Sequence, residues 1–303
     1  MMAKKGVEKR HSETAIFAAL YRAVSNKEFK SEKFGPDYLA EYFLPSHFKF
    51  FIKFKRIRVN VKIKSDKYTP GMYEYMLART AFFDRIFMDA LNKNTPQVVL
   101  LGAGYDTRAY RFAQLNNKTK IIELDIGTTQ NRKMKCLKKA RINIPKQVNF
   151  VPINFNEEAL KEVLEKSGYE RDEQTLFLWE GVSYYLDPES VDETLKFVSH
   201  SSHNESAIAF DYYVSVSEDN VDDYYGAKRL IQTWRKHRSN ESFIFSIEEG
   251  KLESFLEQRG LKIVSHLDTR EIEKTFLSDE KGSSIGQLNG LFRFAIASPT
   301  NQS

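Results

Sequence analysis

From Gln97 onward the chain repeats one pattern, a short apolar run followed by a longer amphipathic segment. The runs fall at 98–101, 120–125, 148–155, 175–179, 207–210, 261–264 and 291–297. Runs this short, rich in Val, Ile and Leu, suit strands buried on both faces. With helical patterns between them they predict βαβ units and a seven-stranded, mostly parallel sheet covered by helices, an α/β fold. Before Gln97 the patterning is different. Residues 12–92 are mostly helical in period, so a helical segment precedes the sheet.

Local signals place several helix ends. Thr69-Pro70 predicts an N-cap followed by proline at the first helical position. Met72, Tyr75, Met76, Phe82, Phe83, Ile86, Phe87 and Ala90 then follow helical spacing. Asp187-Pro188-Glu189 opens a second helix, with acid where the helix dipole favours it. A third spans 248–259 and is closed by Gly260. Between 261–264 and 291–297 no helical pattern stands out. Gly282, Ser283, Ser284 and Gly286 predict a loop there, and the last two strands are expected to form a long antiparallel hairpin.

Composition narrows the class. The chain has 303 residues, enough for one large domain or a domain with an appended part. A net charge of +5 is too small to indicate a nucleic-acid binder. The single cysteine, Cys136, excludes an internal disulfide and a cysteine-based zinc site, and suits a reducing compartment. Residues 1–12 are polar, with no apolar stretch after them, and no run approaches ~18 apolar residues. The expectation is a cytoplasmic protein with no secretory signal, transmembrane helix or metal.

Three features point to a ligand site. The first strand runs into Leu101-Gly102-Ala103-Gly104-Tyr105-Asp106-Thr107-Arg108. Two glycines there let the backbone turn tightly and approach a ligand, although a plain strand-to-helix turn with Asp106 as N-cap would look the same. A dinucleotide site favours Gly or Ala at the position of Thr107. The second strand ends Glu123-Leu124-Asp125, and an acid at that edge can accept hydrogen bonds from ribose hydroxyls. The third feature is Arg79. It sits on the apolar helix stripe, four residues after Tyr75 and three before Phe82. A guanidinium there needs an anion, either an internal Asp or Glu or a ligand carboxylate, unless it snorkels to the helix edge.

Taken with Met76-Leu77-Ala78-Arg79-Thr80 and Glu180-Gly181-Val182-Ser183-Tyr184-Tyr185-Leu186, these stretches resemble the leucine carboxyl methyltransferase family, with its many bacterial and archaeal members. The resemblance runs from about Pro70 to Asp211. It implies the class I methyltransferase fold, a doubly wound sheet with an antiparallel last strand. It also implies S-adenosylmethionine as cofactor. By it, Arg79 would hold the methionine carboxylate, Gly102 and Gly104 would line the cofactor, Asp125 would bind the ribose and Glu180 would lie beside the methionine moiety. The family usually has an Asp-Leu pair after the third strand to grip the adenine. This chain has Asn154-Phe155, which can still offer a carbonyl oxygen and a ring face.

The expected organisation is a helical cap over 1–92 and a cofactor-binding methyltransferase domain over 93–303, with a lid inserted at about 212–246. Methyl transfer is an in-line displacement that needs alignment and exclusion of water. A carboxylate acceptor requires no base. A hydroxyl acceptor does, and Asp211, His200 and His203 are the candidates near the fifth strand. The lid carries Tyr213, Tyr224, Tyr225, Trp234, Arg229, Arg235 and Arg238. That composition suits an acidic or aromatic acceptor, and equally a solvated helix with core aromatics. The expected activity is O-methylation of a carboxylate or hydroxyl on a small molecule or a protein. A nicotinamide-dependent oxidoreductase and a non-catalytic cofactor-binding protein are the alternatives. The stretch 48–67 carries eight Lys or Arg and one Asp among apolar residues. It fits a solvated amphipathic part of the cap, a membrane surface or an acidic partner.

Overall fold

The computed structural model describes residues 13–29, 36–237, 243–279 and 282–300. Arg238 of the expected lid and the polar residues 1–12 lie outside them.

Seven strands form one sheet: β1 (Gln97–Leu101), β2 (Lys120–Asp125), β3 (Val148–Pro152), β4 (Thr175–Trp179), β5 (Ala207–Tyr213), β6 (Leu261–Leu267) and β7 (Phe292–Pro299). Their spatial order is β3-β2-β1-β4-β5-β7-β6. β1 to β5 are parallel, and β7 runs antiparallel to both β5 and β6. This is the mostly parallel sheet with an antiparallel last strand that the sequence predicts.

Alternation along each strand divides the core in two. Val98 and Leu100 of β1, with Leu176 and Leu178 of β4, face one apolar layer. Val99, Leu101, Phe177 and Trp179 face the other. The first layer is closed by α1 (Glu13–Glu28), α4 (Met72–Asn92) and α11 (Thr269–Phe276), the second by α7 (Leu160–Lys166), α8 (Pro188–His200) and α10 (Leu252–Glu257).

Two sequence expectations are corrected. The segment between β6 and β7 is not a plain loop, because it contains α11. A capping box opens that helix, with the Asp268 side chain accepting from the Glu271 amide and the Glu271 side chain accepting from the Asp268 amide. Ser/Thr/Asp-x-x-Glu is the sequence signature of such a start, and here it is Asp268-Thr269-Arg270-Glu271. Thr69 is not the N-cap of α4. That position belongs to Gly71, at φ +75, where an added Cβ would lie 2.3 Å from the Asn289 nitrogen. Asp187 does cap α8, accepting from the Ser190 amide at 2.8 Å.

Candidate cofactor and methyl-transfer site

The order of the sheet reverses between β1 and β4, and in open α/β sheets ligands bind in the crevice at such a switch point. At the end of β1, Gly102 has φ +73 and Gly104 has φ +46. The helix that follows, α5 (Arg108–Arg111), is one turn long. That is a poor anchor for a pyrophosphate, which dinucleotide sites seat on the N-terminus of a longer helix. Asp106 accepts from the Arg108 amide at 2.7 Å, inside the turn. The Gly104 amide donates to Asp125 Oδ2, and Asp125 Oδ1 accepts from the Ile126 amide at 2.7 Å. Burial pushes the Asp125 carboxyl up to about 6, against those two amides. Glu123, two residues earlier on the same side of β2, is engaged elsewhere. It pairs with Lys133 at 2.6 Å and accepts from the Tyr110 hydroxyl at 2.9 Å.

Arg79 projects from α4 to the ends of β4 and β5. Its Nε lies 2.9 Å from Glu180 Oε1, and its Nη1 lies 3.6 Å from Asp211 Oδ2. Nη1 also donates to the hydroxyls of Tyr75 (3.3 Å) and Tyr184 (3.2 Å). The internal acidic partner considered from the sequence is therefore present. Nη2 makes no hydrogen bond among the described residues. It lies 3.3 Å from where a Cβ on Gly181 would stand, so glycine is required there for the guanidinium to cross the β4 end. Burial works against the charge on Arg79, but Tyr75, Glu180, Tyr184 and Asp211 outweigh it.

The pair belongs to a buried chain of charges that single motifs did not reveal. Glu180 Oε2 accepts from Arg108 Nη1 at 2.6 Å. Arg108 also meets Asp106 Oδ2 at 2.5 Å and Asp84 at 2.8 Å. Asp84 accepts two bonds from Arg111, at 2.6 and 2.7 Å. Asp37 lies 3.6 Å from Arg111 and 3.1 Å from Arg22, whose Nη2 donates to the Tyr105 carbonyl at 2.7 Å. Arg22, Arg79, Arg108 and Arg111 thus face Asp37, Asp84, Asp106, Glu180 and Asp211, one carboxylate more than guanidiniums. The available signal was Asp84, an acid among Phe82, Phe83 and Phe87 on α4.

Asp211 is fully buried in β5. It accepts from the Gly181 amide at 2.6 Å and from the Tyr75 hydroxyl, with Tyr184 Oη 3.3 Å away. Burial pushes its carboxyl up, opposed first by Arg79. The other two base candidates are not at the site. His200 ends α8 and His203 follows it, ahead of β5 and so at the amino ends of the parallel strands, whereas the glycine turn is at their carboxyl ends. Beyond Asp211 lies an aromatic cluster. Phe243 packs on Trp234 (ring centroids 3.5 Å apart), Tyr184 (4.5 Å), Tyr185 (5.1 Å) and Tyr213 (5.3 Å), and Tyr75 stacks on Phe292 at 3.9 Å. Trp234 comes from α9 (Ala227–His237), in the expected lid.

Asn154 and Phe155 follow β3. Asn154 Oδ1 accepts from the Asn156 amide at 3.2 Å, and Phe155 is half-buried against the second apolar layer, its carbonyl bonded to Ser190 Oγ at 3.2 Å.

The chain resembles known proteins in sequence and in fold. The leucine carboxyl methyltransferase family matches residues 15–199, which hold most of α1, the glycine turn and the β4 end. The chain belongs to the leucine carboxyl methyltransferase family. Among its relatives is the Putative S-adenosyl-L-methionine-dependent methyltransferase YktD of Bacillus subtilis, 29% identical over 68% of this chain and 66% of that protein. A protein of the same description from a Mycobacterium species is 27% identical over 72% of this chain and 70% of its own length. The match thus spans about two thirds of the length of these relatives. A solved structure of a putative methyltransferase from Thermobifida fusca shares the fold, with a TM-score of 0.58, 14% identity, and 80% of this chain and 88% of that one covered. A DUF574 family protein from Streptomyces avermitilis does likewise, with a TM-score of 0.57, 10% identity and coverage of 80% and 90%.

Within the family's matched span lie Arg22, Asp37, Arg79, Asp84, Asp106, Arg108, Arg111 and Glu180 of the charge network. Asp211, Trp234, Phe243 and Phe292 lie beyond it. Of the aromatic cluster, Tyr75, Tyr184 and Tyr185 also fall within the matched span, whereas Tyr213 does not.

Proposed function

We propose that the chain transfers the methyl group of S-adenosylmethionine to an oxygen of an acceptor, a carboxylate or a hydroxyl. One observation carries this reading: the glycine turn, Asp125 and the Arg79–Glu180 pair converge at the sheet's switch point. The residues suit the cofactor. Gly102 to Gly104 supply bare backbone, Asp125 offers lone pairs for ribose hydroxyls, and Asn154 and Phe155 lie at the end of β3 for the adenine. Arg79 Nη2 can take the methionine carboxylate, while Glu180 can accept from its ammonium group. The sign of the charge fits too: carboxylates outnumber guanidiniums here, and S-adenosylmethionine, with a sulfonium, an ammonium and one carboxylate, carries one net positive charge. It supplies a methyl group activated by the sulfonium.

The chain's own part in the reaction is alignment. Arg79 and Glu180 fix the amino-acid end, and Asp211 holds Gly181, Tyr75 and Tyr184 in register beside them. The aromatic cluster around Phe243 keeps water from the acceptor's path. Residues 1–92 would act as the cap, with Ala15 of α1 close over Gly104, and 212–246 as the lid. A carboxylate acceptor would arrive ionised, whereas a hydroxyl would pass its proton towards Tyr184 and Asp211. We favour a small-molecule acceptor over a protein chain end.

Calorimetric titration with S-adenosylmethionine and with NAD tests the reading. Binding of S-adenosylmethionine alone is expected, and Arg79→Ala should weaken it by about 2 kcal/mol, roughly 30-fold. A well-folded wild type that ignores S-adenosylmethionine would sink the proposal. Once an acceptor is found, the alkali-lability of the transferred methyl group separates ester from ether.

A further inference from the structure

Half of the exposed large hydrophobic residues among those described fall within 48–68. Single exposed apolar side chains are ordinary, but a cluster is not. It lies on α2 (Ser46–Phe51), the turn after it, and the outer side of α3 (Lys55–Tyr68). No residue of α2 is buried. Its Phe50 is 54% exposed and meets the rings of Phe51 at 5.7 Å and Phe54 at 5.6 Å, forming a small aromatic surface turned to the outside. Ile52 is the residue of this turn that anchors it inward, at 1% exposure.

The cations divide in the same way. α3 rests on the body through Ser65, Arg58 and Lys62, the last two paired with Glu28 and Glu74. Lys53, Lys55, Arg56 and Lys64 are exposed and make no ion pair among the described residues. On the outer side they alternate with Phe54, Val59 and Ile63. A six-residue helix that buries nothing and turns phenyl rings outward gains nothing from that arrangement in water. It gains if the rings enter an apolar medium whose surface is anionic. Neither helix can cross a bilayer.

We propose that α2 and the outer side of α3 dock this protein on an anionic lipid bilayer, with the phenylalanine rings in the headgroup–acyl boundary and the free lysines and Arg56 against the headgroups. Charge complementarity selects this occupant. α3 is also bonded to the lid helix, Arg229 Nε donating to the Lys67 carbonyl at 3.1 Å and Thr233 Oγ1 to that of Tyr68 at 2.6 Å. Docking therefore sets α9 next to the membrane plane.

Co-sedimentation of the full chain with sucrose-loaded vesicles tests this, and it reads lipid binding without cofactor or acceptor. Wild type should pellet with phosphatidylcholine vesicles containing phosphatidylglycerol and stay in solution with phosphatidylcholine alone. Phe50→Ser/Phe54→Ser should cut the partition coefficient roughly tenfold or more, and so should Lys53→Glu/Lys55→Glu. All these side chains are exposed, and unchanged thermal melting verifies the fold of each variant. Wild type left in the supernatant with phosphatidylglycerol vesicles overturns the proposal, even if the protein then binds polyglutamate. So does a serine variant that pellets like wild type.

Discussion

Asp125 is the residue whose environment makes the sharpest demand on a ligand. Its carboxyl is pushed up to about 6 by burial, because two backbone amides only partly replace the water it has lost. Ribose hydroxyls donating to it would favour the ionised form, so a bound nucleoside should lower its pKa and release a proton. The sign follows directly. Affinity for S-adenosylmethionine should fall as pH drops through about 6, by up to about tenfold per unit. Calorimetry near that pH in two buffers of different ionisation enthalpy reads the proton, and Asp125→Asn should remove the difference attributable to this group. Identical heats for wild type in both buffers would take Asp125 out of the ribose contact. Arg79 poses the opposite problem at this scale. Its partners are already in place, so its role for a ligand rests on the one nitrogen left over and on Gly181 giving it room.

At the scale of elements, the turn after β1 is held as much by its neighbour as by its own glycines. A Cβ on Gly102 would stand 2.5 Å from Val182 Cγ2, and φ +73 is unfavourable for any L side chain there. Gly102→Ala should cost about 1–2 kcal/mol in urea unfolding and weaken cofactor binding. Adding Val182→Ala should recover the steric part and leave the backbone part; full recovery would mean that the φ requirement is not real. The strands and this turn were legible in the sequence because buried parallel strands are short and uninterrupted. α11 was not, because it is eight residues long and its capping box stands among polar residues with no long apolar stripe behind it. The start of α4 departs from its sequence signal for a related reason. Thr69-Pro70 has the composition of a cap, but the approach of Asn289 to Gly71, a contact 218 positions away in the chain, decides where the helix begins. The site was legible in the same uneven way. Arg79 stood out because a charge broke an apolar stripe. Tyr75 lies one helical turn before it, but the bond from Arg79 to Tyr184, and the run of charges through Arg108, Asp84 and Glu180, join residues far apart in sequence, where one-dimensional spacing carries no signal.

Across the whole molecule, those charges connect the helical N-terminal part to the sheet. Arg22 and Asp37 precede the sheet, Asp84 lies on α4, Arg108 and Arg111 follow the glycine turn, and Glu180 and Asp211 end β4 and β5. A buried ion pair adds little net stability when it replaces well-packed apolar residues, but removing one member strands the other. Asp84 serves two guanidiniums, so Asp84→Ala leaves both Arg108 and Arg111 short of a partner. The expected loss is about 3–5 kcal/mol of unfolding free energy. Because Arg108 also orients Glu180, weaker binding of S-adenosylmethionine should accompany it. Urea unfolding followed by fluorescence and by circular dichroism measures the first effect and titration calorimetry the second. Arg111→Met in the Asp84→Ala background should return part of the stability, since it removes one stranded charge. If the N-terminal helices and the sheet are joined through this network, both probes should report one coincident transition in wild type. A variant that loses less than about 1 kcal/mol and keeps full affinity would show that Asp84 is a spectator and that the two parts are held together by apolar packing alone.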